Sequence, residues 1–300
     1  MTDAKKHEKQ LALVVDAAPR TYVKTPLFAA SNASRYQRQD MIKGIEKATP
    51  GRRLLCFVSG KHAEIDRDDT AGFVDLLYNV QQGENVDLLL HTGGGDIDAA
   101  EKLIKLVQAK IGPDANIRVV VPDFAKSAGT LMALGAHSIV MSDSSELGAI
   151  DPQVPLKDRQ GNEFYHSVLR YLDAYHEHAE ALRRDRDDPV AQLMFDNFDP
   201  SVVRMFQGIR DRVRSLAEDL LKRRGLPFTE IVGNLMDISR WKSHNQMISA
   251  PDARSIGLDV EILPNDGELW RRYWELHCHQ RLAVTERQKI FESAFVSLVI

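Results

Sequence analysis

Two short stretches carry residue types able to do acyl-transfer chemistry. The first is Val119 to Thr130, V-V-V-P-D-F-A-K-S-A-G-T, where an apolar strand runs into a tight loop and a helix opens on Ser127-Ala128-Gly129-Thr130. Small residues at a helix start let backbone approach a substrate, and the free N–H groups there favour negative charge. A serine in that position is either an N-cap or a nucleophile. The second stretch is Thr92-Gly93-Gly94-Gly95-Asp96, which offers backbone N–H donors without side chains, the material of an oxyanion hole. Phosphate binding is the rival use of such a loop. The G-x-x-x-x-G-K-[ST] form is missing, G-G-G-D is not G-x-G-x-x-G, and an acid follows the glycines directly, so nucleotide readings lose ground.

Both stretches need strands behind them and helices in front. Leu54 to Val58 is a continuous apolar run of strand length, the pattern of a strand buried on both faces. Asp68-Asp69-Thr70 caps a helix through Phe73, Leu76, Leu77 and Val80, and Val86 to His91 is a second strand. The helix Asp96 to Ile111 has Ile97, Ala100, Leu103, Ile104 and Val107 at helical spacing, stopped by Gly112-Pro113. Ile117 to Val121 is a third strand and Ser138 to Met141 a fourth. This alternation predicts an α/β domain with largely parallel strands, whose carboxyl edge is where ligands bind. A helix over Ser34 to Ala48 precedes it. A polar loop containing Gly161 follows Pro152. Helices then dominate: Val168 to Leu182, a long one from Asp199-Pro200, and a short Ser249 to Ile256 leading to a strand-like Leu258 to Leu263. Glu268 to Val299 reads as an aromatic-rich helical tail.

Composition bounds the function. The 300 residues are 43% hydrophobic and 27% charged, an ordinary globular balance. A formal net charge of −4 gives no general attraction for nucleic acid or an acidic membrane. Cys56 and Cys278 have no metal-ligand spacing and suggest no disulfide framework, so no metal and no cofactor is indicated. The apolar patch Leu11 to Val15 is too short for a signal segment or a membrane span, and a cytoplasmic setting is the expectation.

Three ordered motifs, T-G-G-G-D-I-D-A-A-E, A-K-S-A-G-T-L-M-A-L-G-A-H-S-I-V-M and L-G-A-I-D-P-Q, resemble the serine dehydrogenase proteinase family. That family is grouped with signal peptide peptidase A, the NfeD-type proteases and the Clp proteolytic subunit. The similarity runs from about Ser34 to Val260, with S-R-Y-Q-R-Q near its start and N-Q-M-I-S-A-P-D-A-R-S-I-G-L near its end. It implies a Clp/crotonase-type β-α superhelix with a helical C-terminal extension, oligomeric assembly and a nucleophile at Ser127. The N–H of Gly94 or Gly95, with that of Ala128, would hold the oxyanion.

The base is left open by the resemblance. In Ser-Lys members a lysine opens the helix after the D-P-Q-like loop. Here that helix puts Ser167 at the lysine position, with His166 before it and Arg170 one turn on. Arginine stays protonated and cannot act as a base, whereas His166 could. In the Clp-type arrangement the histidine falls near Asp151 and the triad aspartate at Asn245, with His244 beside it. Asp151, Arg170 and Asn245 are therefore expected to line the site, with His166, Ser167 and His244 as catalytic candidates. Lys126 adjoins Ser127 and should point elsewhere.

The resulting expectation has three parts: an N-terminal arm over 1–33, a Clp/crotonase-like serine peptidase domain over 34–263, and a helical tail over 264–300 offering an oligomer contact. The activity expected is ATP-independent cleavage of peptides or unfolded segments. The alternatives are a catalytically silent oligomeric scaffold and a crotonase-type acyl-thioester enzyme. Partners would be a peptide or unfolded protein substrate and further copies of the chain, without nucleic acid and without a membrane span.

Overall fold

The computed structural model describes residues 23–157, 160–222 and 225–300, so most of the expected N-terminal arm lies outside the described residues. The chain divides into two units, residues 1–37 and 38–300. In the first, a short helix α1 (Pro26–Ser31) opens on a proline, and Lys24 Nζ stands 3.2 Å from the centroid of the Tyr36 ring. Helix α2 (Ala33–Ala48) leads onward.

The second unit is built on β1 (Arg52–Ser59), α3 (Asp69–Leu77), β2 (Asn85–His91), α4 (Ile97–Ile111) and β3 (Ile117–Val120). There follow a two-residue strand β4 (Phe124–Ala125), α5 (Ala128–Leu134), β5 (Ser138–Met141) and a second two-residue strand β6 (Glu146–Leu147). Strands β7 (Gln153–Lys157) and β8 (Glu163–Ser167) come next, then the helices α6 (Val168–Arg184), α7 (Pro189–Phe195), α8 (Pro200–Lys222), α9 (Phe228–Leu235) and α10 (Ala250–Ser255). The unit closes with β9 (Val260–Ile262), α11 (Glu268–Ala283), β10 (Lys289–Glu292) and β11 (Ser297–Val299).

Seven strands form one sheet in the order β11-β10-β1-β2-β3-β5-β9. From β1 to β9 all neighbours are parallel, and each new strand is laid beside the last. The crossovers therefore wind onward without reversal, the α/β arrangement of a Clp-type superhelix. The apolar runs are central strands: Leu54 to Val58 and Leu88 to Leu90 are essentially without exposure, as expected for strands covered on both faces. One face packs against α3, α4, α5, α8 and α9, through residues such as Phe73, Leu103, Ile104, Leu131, Leu216 and Val232. The other is covered by Ile42 and Ile45 of α2 and by Trp270, Tyr273 and Leu276 of α11.

Two expectations change. The tail is helical only through Ala283; Lys289–Glu292 and Ser297–Val299 are antiparallel strands that extend the sheet past β1. Their alternation is short and broken by Ser293 and Ala294, which hides it beside a strong helix. The aromatic face of α11 packs on its own domain, with Trp270, Tyr273, Leu276 and His277 buried and Trp274 39% exposed. The polar loop around Gly161 is a hairpin, β7 pairing antiparallel with β8 from Gln153↔Ser167 to Lys157↔Glu163. No described helix is long and apolar enough to cross a membrane.

Candidate active site

Ser127 stands between β4 and α5 with φ 49° and ψ −115°, and it is the one non-glycine residue at positive φ among the described residues. Its side chain makes no capping hydrogen bond, unlike Asp96 at the start of α4, which accepts from Asp98 N at 2.8 Å and Ala99 N at 3.1 Å. A residue held in such a region stores ~1–3 kcal/mol and survives only where the surroundings fix it. Those surroundings are visible. Lys126 N donates to Thr92 O at 3.0 Å, Gly129 N to Lys126 O at 2.7 Å, and Leu131 N to Ser127 O at 3.1 Å. Buried Thr130 places its hydroxyl 2.8 Å from Ala125 O and 3.0 Å from Gly148 O and accepts the Gly148 N–H at 3.0 Å.

The glycine loop is pressed against this turn. A Cβ on Gly94, at φ +113°, would lie 2.9 Å from Ser127 Cβ and 3.0 Å from Lys126 O. On Gly95, at φ +143°, it would lie 2.4 Å and 2.5 Å from the backbone O and N of Ile65. Ile65 N donates to Gly94 O at 2.8 Å and Asp96 N to Ile65 O at 2.9 Å, so the loop is tied down on its far side. The Gly94 N–H is 3.2 Å from Thr92 Oγ1. The Gly95 N–H makes no hydrogen bond among the described residues, and the Ala128 N–H opens a helix and has no partner one turn back. These two are the donors free for an oxyanion.

The candidate bases separate. His244 Nδ1 lies 2.6 Å from Asp151 Oδ1, and Asp151 is buried. The other carboxylate oxygen of Asp151 accepts from Gln153 Nε2 at 2.7 Å and from Ser167 Oγ at 3.1 Å. Ser167 caps α6 while bracing that carboxylate. Arg170 donates to Lys242 O at 2.7 Å, bracing the loop that carries His244. His166 faces elsewhere: its Nδ1 is 3.2 Å from Ser167 O, and its ring packs edge-on to Tyr171 at 5.8 Å. Asn245 is exposed. Lys126 is paired with Glu146 and donates to Leu147 O at 3.1 Å, away from Ser127.

Backbone ties the two segments that carry the pair to each other and to the residues flanking Ser127. Leu147 and Ile248 exchange two hydrogen bonds, at 3.0 and 3.1 Å, and Gly148 packs on Lys126 and bonds Thr130. Asp151 follows Gly148 by three residues and His244 precedes Ile248 by four. The Asp151–His244 contact spans 93 residues of sequence, so no local pattern announces it.

The Clp-type α/β sheet thus carries a serine at positive φ, a glycine loop pressed against it and a pair of a buried carboxylate with an imidazole. Residues 62–162 match the family described as ClpP-like SDH-type serine proteinase, the family that the sequence motifs resemble. An uncharacterised protein of Methanocaldococcus jannaschii is 28% identical over 195 residues, 65% of this chain and 59% of its own length. A second from that organism is 37% identical over 70 residues, 23% of each chain. The chain thus spans about three-fifths of the first relative and under a quarter of the second. Among solved structures, the 1510-N membrane-bound stomatin-specific protease aligns at TM-score 0.46 and 16% identity, over 74% of this chain and 85% of that one. A complex of that protease with a substrate peptide aligns at TM-score 0.43 and 16% identity, over 71% and 75%.

Proposed function

We propose that this protein is a serine endopeptidase acting on peptides or unfolded segments without ATP, with Ser127 as nucleophile, His244 as base and Asp151 orienting the imidazole. The carrying observation is the 2.6 Å contact between His244 Nδ1 and buried Asp151. It commits Nδ1 to the carboxylate and leaves Nε2 as the acceptor for a hydroxyl proton. Ser127 Oγ attacks the scissile carbonyl carbon as its proton passes to His244. The carbonyl oxygen becomes an oxyanion facing the Gly95 and Ala128 N–H groups, and loss of one such donor costs ~3–4 kcal/mol of barrier. The C–N bond then breaks, the imidazolium proton leaves with the amine, and water hydrolyses the acyl-enzyme.

This triad exchanges two roles relative to the Clp-type arrangement. The segment where that arrangement has a histidine carries Asp151, and the segment of its aspartate carries His244. The two groups still meet, with His244 Nδ1 2.6 Å from Asp151 Oδ1. The scaffold and acyl-thioester readings have no observation of this weight behind them.

A fluorophosphonate probe tests the proposal. Labelling should fall on Ser127, vanish in Ser127→Ala, and slow by ~10²–10⁴-fold in His244→Ala. An unchanged rate in His244→Ala removes the histidine from the mechanism, and no labelling of the folded wild type points to the silent scaffold. A ring or compact homo-oligomer is part of the proposal, and light scattering showing a stable monomer at micromolar concentration would refute it.

A further inference from the structure

Behind the two catalytic loops lies a second cluster that the peptidase chemistry does not use. His91 ends β2 immediately before Thr92-Gly93-Gly94-Gly95, Asp123 precedes Phe124 in the loop leading to Ser127, and His277 stands on α11. One potential ligand atom from each lies within 4.8 Å of the other two, and His91 Nδ1 is 3.7 Å from Asp123 Oδ2. His91 has no exposure and His277 only 2%, yet both ring nitrogens of His91 and Nδ1 of His277 have no hydrogen-bond partner among the described residues. Leaving a buried polar group unpaired costs ~1–3 kcal/mol, so two buried imidazoles with unpartnered nitrogens beside one carboxylate require an explanation.

We propose that His91, Asp123 and His277 bind one divalent first-row transition ion, zinc foremost, which clamps the glycine loop and the nucleophile loop to α11. Two imidazoles and a carboxylate are the donor set such ions take, and three protein ligands leave a fourth position for water. Ligand atoms on a tetrahedral zinc stand about 3.3 Å apart, given bond lengths of 2.0–2.1 Å. The His91–Asp123 separation of 3.7 Å is already close to that. The 4.8 Å bound on the cluster leaves a closure that rotation of the Asp123 side chain, half-buried on its loop, can supply.

The surrounding charges are mixed. Glu146 adds a carboxylate near Asp123, and Arg281, whose Nη1 is engaged 2.8 Å from Ser59 O, adds a cation. The Phe124 ring packs on His91 at 4.1 Å and walls the cluster. The role is positioning: the ion would sit two and three residues behind Gly93 and Gly94 and four behind Ser127. The inference is independent of the assignment of Ser127 as nucleophile.

The test uses the full chain stripped with a chelator and titrated with Co2+, read by its visible ligand-field bands. Expected are one Co2+ per chain with a low-coordinate spectrum, displacement by Zn2+, and a higher thermal midpoint with metal. Asp123→Asn and His277→Gln should each weaken binding by ~100-fold or more, since even supporting groups around a metal are worth ~10–100-fold. Asp123 lies on a half-exposed loop, so its variant keeps the fold should the buried histidine variant fail. Absence of a stoichiometric spectrum, or a spectrum and affinity unchanged in Asp123→Asn, overturns the site.

Discussion

Substituting the three consecutive glycines one at a time separates reactivity from stability. Gly93→Ala has open space around it, with nothing within 4 Å of a new Cβ, and should change stability by no more than ~0.5 kcal/mol. Gly94→Ala places a methyl 2.9 Å from Ser127 Cβ and 3.0 Å from Lys126 O at φ +113°. Strain at that φ costs ~1–3 kcal/mol, and the loop must back away from the serine by several tenths of an ångström. A misplacement of about 1 Å at a reacting centre costs ~10²-fold, so for this smaller shift fluorophosphonate labelling of Gly94→Ala should drop by roughly 10-fold. Gly95→Ala collides with backbone on the far side, 2.4 Å from Ile65 O and 2.5 Å from Ile65 N, with no flexible side chain to yield. Overpacking and strain together make that about 3 kcal/mol or more of lost stability. At roughly 2–4 °C per kcal/mol, the thermal midpoint falls by roughly 6 °C or more. The assay is labelling rate and thermal unfolding measured on the same three proteins. A folded Gly94→Ala protein labelled within about twofold of the wild-type rate would refute the reasoning, because the glycine would then serve the turn without serving Ser127.

Ser127→Gly removes the proposed nucleophile and releases a positive-φ residue. Its melting temperature should rise by the equivalent of ~1 kcal/mol, strain relief outweighing the added freedom of the unfolded chain, and a lower midpoint would show that the turn is not strained. Asp151→Asn keeps the shape of the buried carboxylate but loses its charge; labelling should slow by ~10²-fold or more while the fold persists, and a wild-type rate would leave Asp151 as a turn former only. Tyr273→Phe deletes the buried hydroxyl that donates to Asp87 Oδ2 at 2.9 Å. A hydrogen bond to a charged partner is worth ~1.5–3 kcal/mol, to be read by denaturant unfolding, and a loss under about 0.5 kcal/mol would mean that Arg52 and Arg118 satisfy the carboxylate unaided.

What could be read from the sequence was whatever a local period or a local breaker encodes. Leu54 to Val58 and Val86 to His91 announce buried parallel strands because both faces are apolar, and Gly112-Pro113 marks a helix end by its chemistry. The glycine loop and Ser127 were visible for the same reason: each sits where a strand pattern stops. The hairpin of Gln153–Lys157 and Glu163–Ser167 was not, since it lies outside the main sheet and its only alternation, Val154 and Leu156 on either side of Pro155, is too short to stand out. The Ser127 conformation was hidden because serine is a good cap, and only the structure shows a positive φ and a side chain that makes no capping hydrogen bond. Asp151 with His244, and His91 with Asp123 and His277, are long-range meetings that tertiary packing creates and no spacing rule anticipates.

The pairing of β10 with β1 has a consequence for how the chain can be cut or synthesised. Cys56↔Glu292 through Ser59↔Lys289 tie the first strand of the sheet to residues more than 200 positions later. Buried Glu292 also receives Arg38 Nε at 3.0 Å and Gln280 Nε2 at 3.1 Å. Until residues 289–292 are in place, L-L-C-F-V presents an open edge of hydrogen-bonding groups with apolar side chains on both sides, the type of surface that recruits other chains. A truncation before Lys289 would therefore not trim an appendage; it would expose the apolar edge of β1. During synthesis the same edge stays open until nearly the whole described chain has been made, so the sheet closes last where it began.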